Sequence, residues 1–273
     1  MKNSKGVVCK RQQLILQYLN EHKTAKVETL SELLNVSPIT IRRDLQIFEE
    51  KGIVERFHGG ATLIEGALGD DPSLSDSSKN YILQKLAIAK MAASLINDGD
   101  TIFMNSSSTA LLVLKYLHNK HVIVITNNGK ALQVQKDPKV ELVLTGGEVY
   151  ERKQSMVGEF ATHILSKVVA NKCIMGVSGI NIKTGITTSV LQETAVNQMM
   201  LKRCSGPVIV LADSSKIGVE HNFISGDLNK VSYLITDSGA DPKQLEMLKE
   251  KGIEIITVDP LDASELNGFN SIT

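Results

Sequence analysis

Two adjacent arginines, Arg42 and Arg43, follow a Ser-Pro pair in the stretch Ser37-Pro-Ile-Thr-Ile-Arg-Arg-Asp-Leu45. Guanidinium groups present planar, paired donors that suit phosphates and the edges of guanine. Ser37 is a natural N-cap and Pro38 suits the first helical position, so a helix starts here. Ile41, Leu45 and Phe48 then recur at spacings of four and three and form one apolar stripe. Thr40, Arg42, Arg43 and Gln46 fall off that stripe and face outward, as a helix lying in a major groove requires. Thr40 and its outward neighbours are expected to reach base edges. Arg42 and Arg43 reach bases or phosphates, and spacing does not sort the two. Asp44 either holds an arginine in place or is solvated.

A second group with chemical potential is Asn105-Ser-Ser-Ser-Thr109, which follows an apolar run and precedes the apolar segment 110–117. Hydroxyls and backbone N–H groups at a helix start suit an anion such as a phosphate. The same residues also make good helix caps. Further candidates follow other apolar runs: Thr126-Asn127, Gly146-Gly147, Gly176-Val-Ser-Gly179 and Asp213-Ser-Ser-Lys216. Open parallel sheets place ligands at such strand ends. Lys216 offers a point charge to a phosphate, or is a solvated loop lysine.

The elements that must position these residues can be read from periodicity. Residues 10–22 carry Leu14, Leu16, Tyr18 and Leu19 in a helical pattern, and Lys23-Thr-Ala-Lys26 breaks it. Residues 27–34 suit a second helix with Leu30, Leu33 and Leu34 on one face. Asn35-Val36 is a tight turn before the Ser37 cap, which gives helix-turn-helix spacing. Two β-prone runs, 53–57 and 61–64, flank His58-Gly59-Gly60 and read as a hairpin, the wing of a winged helix, with Arg56 and His58 near its tip. Residues 65–78, rich in Gly, Asp, Ser and Pro, read as a linker. A long helical run follows over 79–97.

Beyond residue 100, short apolar strands alternate with helical segments. The strands fall at 102–104, 122–126, 140–144, 173–177, 208–212, 233–236 and 253–258, and helices at 108–118, 129–136, 157–168, 191–203 and 242–250. The fold class is therefore α/β: a winged helix-turn-helix over 1–64, a linker over 65–78, and a larger, mostly parallel α/β domain over 79–273.

The formal net charge of the 273 residues is zero, which excludes a uniformly basic coat. Residues 1–64 hold ten Lys/Arg against seven Asp/Glu, and the remainder twenty against twenty-three, so the surplus of cations sits where the arginine helix is. Cys9, Cys173 and Cys204 lack metal-ligand spacing and read as incidental thiols of a reducing compartment. With no signal-peptide core and no long apolar run, the expectation is a cytoplasmic protein away from membranes.

Leu30-x-x-Leu33, Val36-Ser37-x-x-Thr40-Ile-Arg-Arg-Asp-Leu45, Gly52, Arg56 and His58-Gly-Gly-Ala61 together resemble the DNA-binding signature of DeoR/GlpR-type bacterial transcriptional regulators. Lys85-x-x-Ile88-Ala89, Thr126-Asn127, Gly146-Gly147, Gly185 and Ala212-Asp-Ser-Ser-Lys216 extend the resemblance through most of the chain. It implies a sensor domain with a ribose-5-phosphate-isomerase fold, control of a sugar-utilisation operon, usually by repression, and response to a phosphorylated sugar or derivative. It also implies a homodimer or homotetramer, and no cofactor.

On that footing the operator-contacting set is Ser37, Pro38, Thr40, Arg42, Arg43, Gln46, Arg56, His58, Gly59 and Gly60. The effector set is Asn105, Ser106, Ser107, Ser108, Thr109, Thr126, Asn127, Gly146, Gly147, Gly179, Glu193 and Lys216. The chain departs from the family pattern in two places. Asp is frequent at the position of Asn105, in a Gly-Thr-Thr type loop, and Lys at that of Asn197. The missing charges imply an effector unlike the common ones, or a weaker one.

An alternative is a sugar-phosphate isomerase fused to a DNA-binding domain, which needs a positioned carboxylate to move a proton. Glu193, Asp213, Asp237 and Asp241 are available, although Asp237-Ser-Gly-Ala-Asp241 also reads as a solvated turn. A scaffold protein leaves the arginine helix and the serine loop unexplained. The regulator reading is preferred over an enzyme.

Overall fold

The computed structural model describes residues 11–12, 14–15, 18–19, 22–50, 54–57, 59–63 and 81–261. The chain divides into two units, Met1–Lys79 and Asn80–Thr273.

In the first unit Ile15 and Leu19 of an N-terminal helix are fully buried. The phase differs from the one expected: Leu14 is exposed and Ile15 takes its place, while Leu16 lies outside the described residues. The segment expected as a break is a strand, β1 (Thr24–Lys26), with Ala25 buried between two exposed neighbours. Helix α1 (Val27–Leu34) buries Val27 and Leu30 and leaves Leu33 exposed. It ends at Asn35, whose φ of 50° and ψ of 48° lie in the left-handed region that asparagine tolerates.

Helix α2 (Pro38–Glu50) follows. Strands β2 (Val54–Phe57) and β3 (Gly60–Leu63) form the hairpin, and the sheet order is β1-β3-β2, all antiparallel. Gly60 is needed where β3 crosses β1: a Cβ there would lie 2.4 Å from the Ala25 carbonyl and 2.5 Å from the Phe57 ring. Ile41, Leu45 and Phe48 of α2 meet Ile15, Leu19, Leu30, Val54 and Ala61 in one core, each large side chain contributing roughly 1.5–3 kcal/mol.

The second unit opens with α3 (Ile82–Ser94), shorter than the expected run and buried on most of its circumference. A seven-stranded sheet contains all of the expected strands: β4 (Thr101–Met104), β5 (Val122–Thr126), β6 (Val140–Leu144), β9 (Lys172–Gly176), β12 (Val208–Leu211), β14 (Tyr233–Asp237) and β15 (Glu254–Val258). Its order is β15-β14-β12-β9-β4-β5-β6, and every pairing is parallel. The chain moves outward from β4 to β6, returns to place β9 against β4, and moves outward the other way. The reversal between β4 and β9 is the topological switch point, outside whose carboxyl ends a ligand crevice is expected.

Alternate residues of each strand enter different cores. Phe103, Cys173, Met175, Val208 and Val210 pack with Ala161 and Leu165 of α5 (Gly158–Ser166) and Val196 and Met200 of α6 (Leu191–Arg203). Ile102, Met104, Val124, Ile174 and Ile209 pack with Ile88 and Ala92 of α3 and Ala110 and Val113 of α4 (Ser108–Val113). Helices cover both faces, so the strands read as continuous apolar runs.

Helix α7 (Pro242–Lys249) lies between β14 and β15 in the chain. The segment expected as a helix over 129–136 is a 3-10 turn, Gly129–Gln133, because Ala131 is its only buried residue and Leu132 is exposed. Two features had no signal in the alternation. A hairpin of β7 (Glu148–Tyr150) and β8 (Ser155–Val157) is one. An antiparallel sheet ordered β10-β11-β13 is the other, with β10 Gly179–Asn181, β11 Gly185–Thr188 and β13 Phe223–Gly226.

Candidate functional site

Helix α2 carries its polar face on the side away from the core. Ser37 Oγ caps it, accepting from Thr40 N at 3.4 Å and lying 2.9 Å from Thr40 Oγ1, while Pro38 is the first helical residue. Arg42, Arg43 and Gln46 are exposed, and Thr40 is half-buried. Asp44 is the exception among the polar residues of this stretch. It is buried and accepts from Arg11 Nε at 2.6 Å, Arg11 Nη2 at 3.2 Å and Gln12 Nε2 at 2.9 Å. The arginine it holds is therefore that of the N-terminal helix, and the pair fixes α2 without engaging Arg42 or Arg43.

Arg56 projects from β2, and its Nη1 lies 3.3 Å from Glu49 Oε2 on α2. Gly59 sits in the hairpin turn and Gly60 in β3, where it serves packing. His58 lies outside the described residues.

In the second unit the expected residues gather at the carboxyl ends of the central strands. Asn105, one residue past β4, is buried and spans the switch point. Its Oδ1 accepts from Gly176 N at 3.0 Å and its Nδ2 donates to Gly176 O at 2.8 Å. An amide satisfies both backbone groups of the neighbouring strand, whereas an ionised carboxylate satisfies only the N–H. Gly176 admits the serine loop: a Cβ there would lie 1.8 Å from Ser107 Oγ.

Asn105 Nδ2 also lies 3.3 Å from Asn197 Oδ1, and Asn197 Nδ2 donates to Ser225 Oγ at 3.2 Å. The two positions expected to depart from the family pattern thus touch each other. The buried couple is neutral.

Ser106 Oγ donates to Glu193 Oε1 at 2.7 Å, and Lys153 Nζ lies 3.2 Å from Glu193 Oε2. Ser107 Oγ caps α4, accepting from Thr109 N at 3.2 Å and Ala110 N at 3.4 Å. Ser108 is exposed at the first position of α4, and Thr109 is buried. Thr126 is buried with its Oγ1 accepting from Asn128 N at 3.1 Å.

Asn127 is buried; its Nδ2 donates to Met156 O at 3.0 Å, while its Oδ1 has no partner among the described residues. Ser155 Oγ, on the hairpin strand bridged to Asn128, is likewise buried without a partner among those residues. Gly146 and Gly147 join β6 to that hairpin. Gly179 belongs to β10 and Lys216 to a 3-10 turn, Ser214–Lys216, so both sit on elements apart from those that carry Ser106 and Glu193.

Lys153 is the residue that sequence reasoning missed. It lies in the charged turn Glu151-Arg-Lys153-Gln154, which has the composition of a solvated loop and no periodicity. The aspartates proposed as catalytic bases all have structural bonds. Asp213 accepts from the amide and hydroxyl of Ser215, Asp237 from Ser214 N at 2.6 Å and Gly239 N at 3.0 Å, and Asp241 from Lys243 N at 2.9 Å. Burial pushes the Cys173 thiol well up from its ordinary value and raises that of Cys204, so neither is a ready nucleophile. No helix among the described residues is long and apolar enough to cross a membrane.

Comparison with known proteins matches this arrangement. Residues 11–67 fit the model of the DeoR-like helix-turn-helix domain, and residues 81–238 that of the DeoR C terminal sensor domain. The uncharacterized HTH-type transcriptional regulator YulB of Bacillus subtilis (strain 168) is 32% identical over 253 residues, covering 92% of this chain and 97% of that one. The putative aga operon transcriptional repressor of Escherichia coli O157:H7 is 32% identical, covering 91% and 93%. The lactose phosphotransferase system repressor of Staphylococcus aureus (strain NCTC 8325 / PS 47) is 32% identical, covering 86% and 94%.

Among solved structures, ribose 5-phosphate isomerase A from Methanocaldococcus jannaschii aligns with a TM-score of 0.36 and 21% identity over 50% of this chain and 54% of that one. That likeness is too slight to carry an assignment, and the α/β fold rests on the sheet order itself. With both domain models matched in sequence and relatives aligned over nearly their whole length, the chain belongs to the DeoR family of transcriptional regulators: a DNA-binding helix-turn-helix domain followed by a sensor domain.

Proposed function

We propose that this regulator represses an operon for carbohydrate use and is controlled by a phosphorylated sugar or related metabolite bound at the carboxyl ends of β4, β5 and β9. The names of relatives support the class of operon: one is a putative aga operon repressor, another a lactose phosphotransferase system repressor. Thr40, Arg42, Arg43 and Gln46 read the operator from α2, with Ser37 and Pro38 at the helix start and Arg56, His58, Gly59 and Gly60 in the wing. Asn105 to Thr109, Thr126, Asn127, Gly146, Gly147 and Glu193 shape the effector site, and Gly179 and Lys216 lie at its edge. The protein acts as a homodimer or homotetramer in the cytoplasm, with residues 65–78 as the linker. The effector shifts DNA affinity by favouring one spacing of the paired reading domains.

The observation that carries the effector reading is Asn127 Oδ1, a buried oxygen left without a partner among the described residues at the end of β5, beside the switch point. Buried polar atoms are normally paired, and a hydroxylated ligand supplies the missing donor. The structural bonds of Asp213, Asp237 and Asp241 favour a sensor over an isomerase. A thermal-shift screen of sugar phosphates, followed by DNA mobility shifts and an isomerase assay on each hit, tests this. A stabilising sugar phosphate that changes DNA affinity without being turned over is expected. Turnover, or stabilisation with unchanged DNA affinity, overturns the reading.

A further inference from the structure

At the switch point a single carboxylate takes both of the donors that an incoming anion needs. Glu193 is 5% exposed, and its two oxygens are shared between Ser106 Oγ at 2.7 Å and Lys153 Nζ at 3.2 Å. Lys153 does not belong to the sheet. The turn between β7 and β8 delivers it, and that hairpin is fastened to the end of β5 by Met156 N to Asn127 O at 2.7 Å and Gly129 N to Gln154 O at 2.8 Å. The hairpin therefore holds a cation beside the strand ends, and Glu193 in the first turn of α6 meets it. A buried ion pair only just offsets its desolvation, and removing one member leaves the other in need of a substitute.

We propose that Lys153 and Ser106 form the anion subsite of the effector and that Glu193 occupies it in the ligand-free protein, so that binding exchanges one anion for another. This rests on the reading of these strand ends as the effector site. A phosphate monoester offers three acceptor oxygens and close to two negative charges where the carboxylate offers one, so the exchange favours the ligand. The released Glu193 stays in the first turn of α6, where the helix dipole favours a negative charge. Occupancy by Glu193 lowers the apparent affinity by the fraction of molecules in which the subsite is open. The exchange also breaks the ion pair between the hairpin turn and α6, although β8 stays packed against that helix, which gives the ligand a local mechanical consequence.

Isothermal titration of the full chain with inorganic phosphate and with glucose 6-phosphate tests the exchange. Glu193→Gln keeps shape and removes the competitor, and it is expected to tighten binding about tenfold. Lys153→Met is expected to weaken binding at least as much, but it leaves Glu193 buried without its cation. The double variant Glu193→Gln/Lys153→Met avoids that charge and is expected to lose the gain of the single variant, with circular dichroism confirming the fold. Unchanged or weaker binding in Glu193→Gln, or a gain that survives in the double variant, overturns the exchange while wild-type binding upholds the site. Failure of wild type and Glu193→Gln alike to bind either probe overturns the exchange and counts against the anion-binding reading of these strand ends.

Discussion

The two units both bury an ion pair but differ in how they hold the polar groups of their candidate sites. In the reading unit the ion pair of Arg11 and Asp44 is buried, whereas Arg42 and Arg43 stand exposed on the outer face of the same helix α2. In the sensor unit the polar groups at the strand ends are themselves buried and bonded to one another, Asn105 to Gly176 and Asn197, and Ser106 and Lys153 to Glu193. The difference follows from what each unit meets. A duplex stays outside and exchanges water and counterions for protein cations at the surface. A small molecule is enclosed by its site, and most of the buried polar groups at these strand ends have partners within the chain, Asn127 Oδ1 and Ser155 Oγ being exceptions.

If the buried pair in the reading unit serves only to hold α2, removing Asp44 should have the largest effect of any single substitution. Asp44→Ala leaves the Arg11 guanidinium buried without an anion and is expected to cost about 3–5 kcal/mol. Urea unfolding of the full chain should show an early transition from the first unit and an unchanged one from the second. DNA binding should fail together with the first transition. A variant that keeps its stability but loses DNA affinity would make Asp44 part of the reading face and erase the contrast.

The neutral couple of the sensor unit is tested by charging it. Asn105→Asp loses the donor to Gly176 O, and Asn197→Lys buries a cation, each expected to cost about 3 kcal/mol. The double variant restores a charge pair over the 3.3 Å contact and should recover a large part of the loss. Additive losses in a thermal unfolding cycle would mean that the two positions are independent, and their departures from the family pattern would again need separate reasons.

These contrasts were unevenly legible in the sequence. The strands at the centre of the sheet were readable because they are buried on both faces, so apolar type persists along them; the edge strands β6 and β15, partly exposed, kept enough apolar residues to show as well. The cap at Ser37 and the stripe Ile41-Leu45-Phe48 were readable because both are local. The short strand β1 was not, since three residues with a single buried alanine carry no period. The partner of Asp44 was not, because it lies 33 residues away. Nor were the contact of Asn105 with Asn197, 92 residues apart, and the place of Lys153, 40 residues from Glu193, since only the completed sheet brings them together. What the sequence supplied at the site was residue types at strand ends; what it withheld was which of them already satisfy one another.

On the exposed side of the comparison, Arg43→Ala should lower operator affinity by roughly 1–3 kcal/mol if the guanidinium reads a base, with no change in unfolding of either unit. Titration of operator and scrambled DNA separates the two possible roles. Loss confined to the operator assigns base reading, and equal loss on both assigns a phosphate contact. Unchanged affinity for both at moderate salt removes Arg43 from the interface.

The smallest effect is expected where the two units use the same device at different burial. Glu49 holds Arg56 at 3.3 Å, as Glu193 holds Lys153, but these side chains are 45% and 35% exposed whereas those of Glu193 and Lys153 are 7% and 17%. Solvent screens the outer pair, so Arg56→Ala should cost under about 1 kcal/mol of stability. If Arg56 also contacts a phosphate, the same change lowers the salt dependence of DNA binding by about 0.9 in log–log slope. Glu49→Gln then releases the arginine and tightens DNA binding by a factor of about two to three, in line with the weak energy of an exposed pair, well short of the effect expected at Glu193. An unchanged slope in Arg56→Ala would leave Arg56 a structural tie between α2 and the wing, and the competing carboxylate would then be a device of the sensor unit alone.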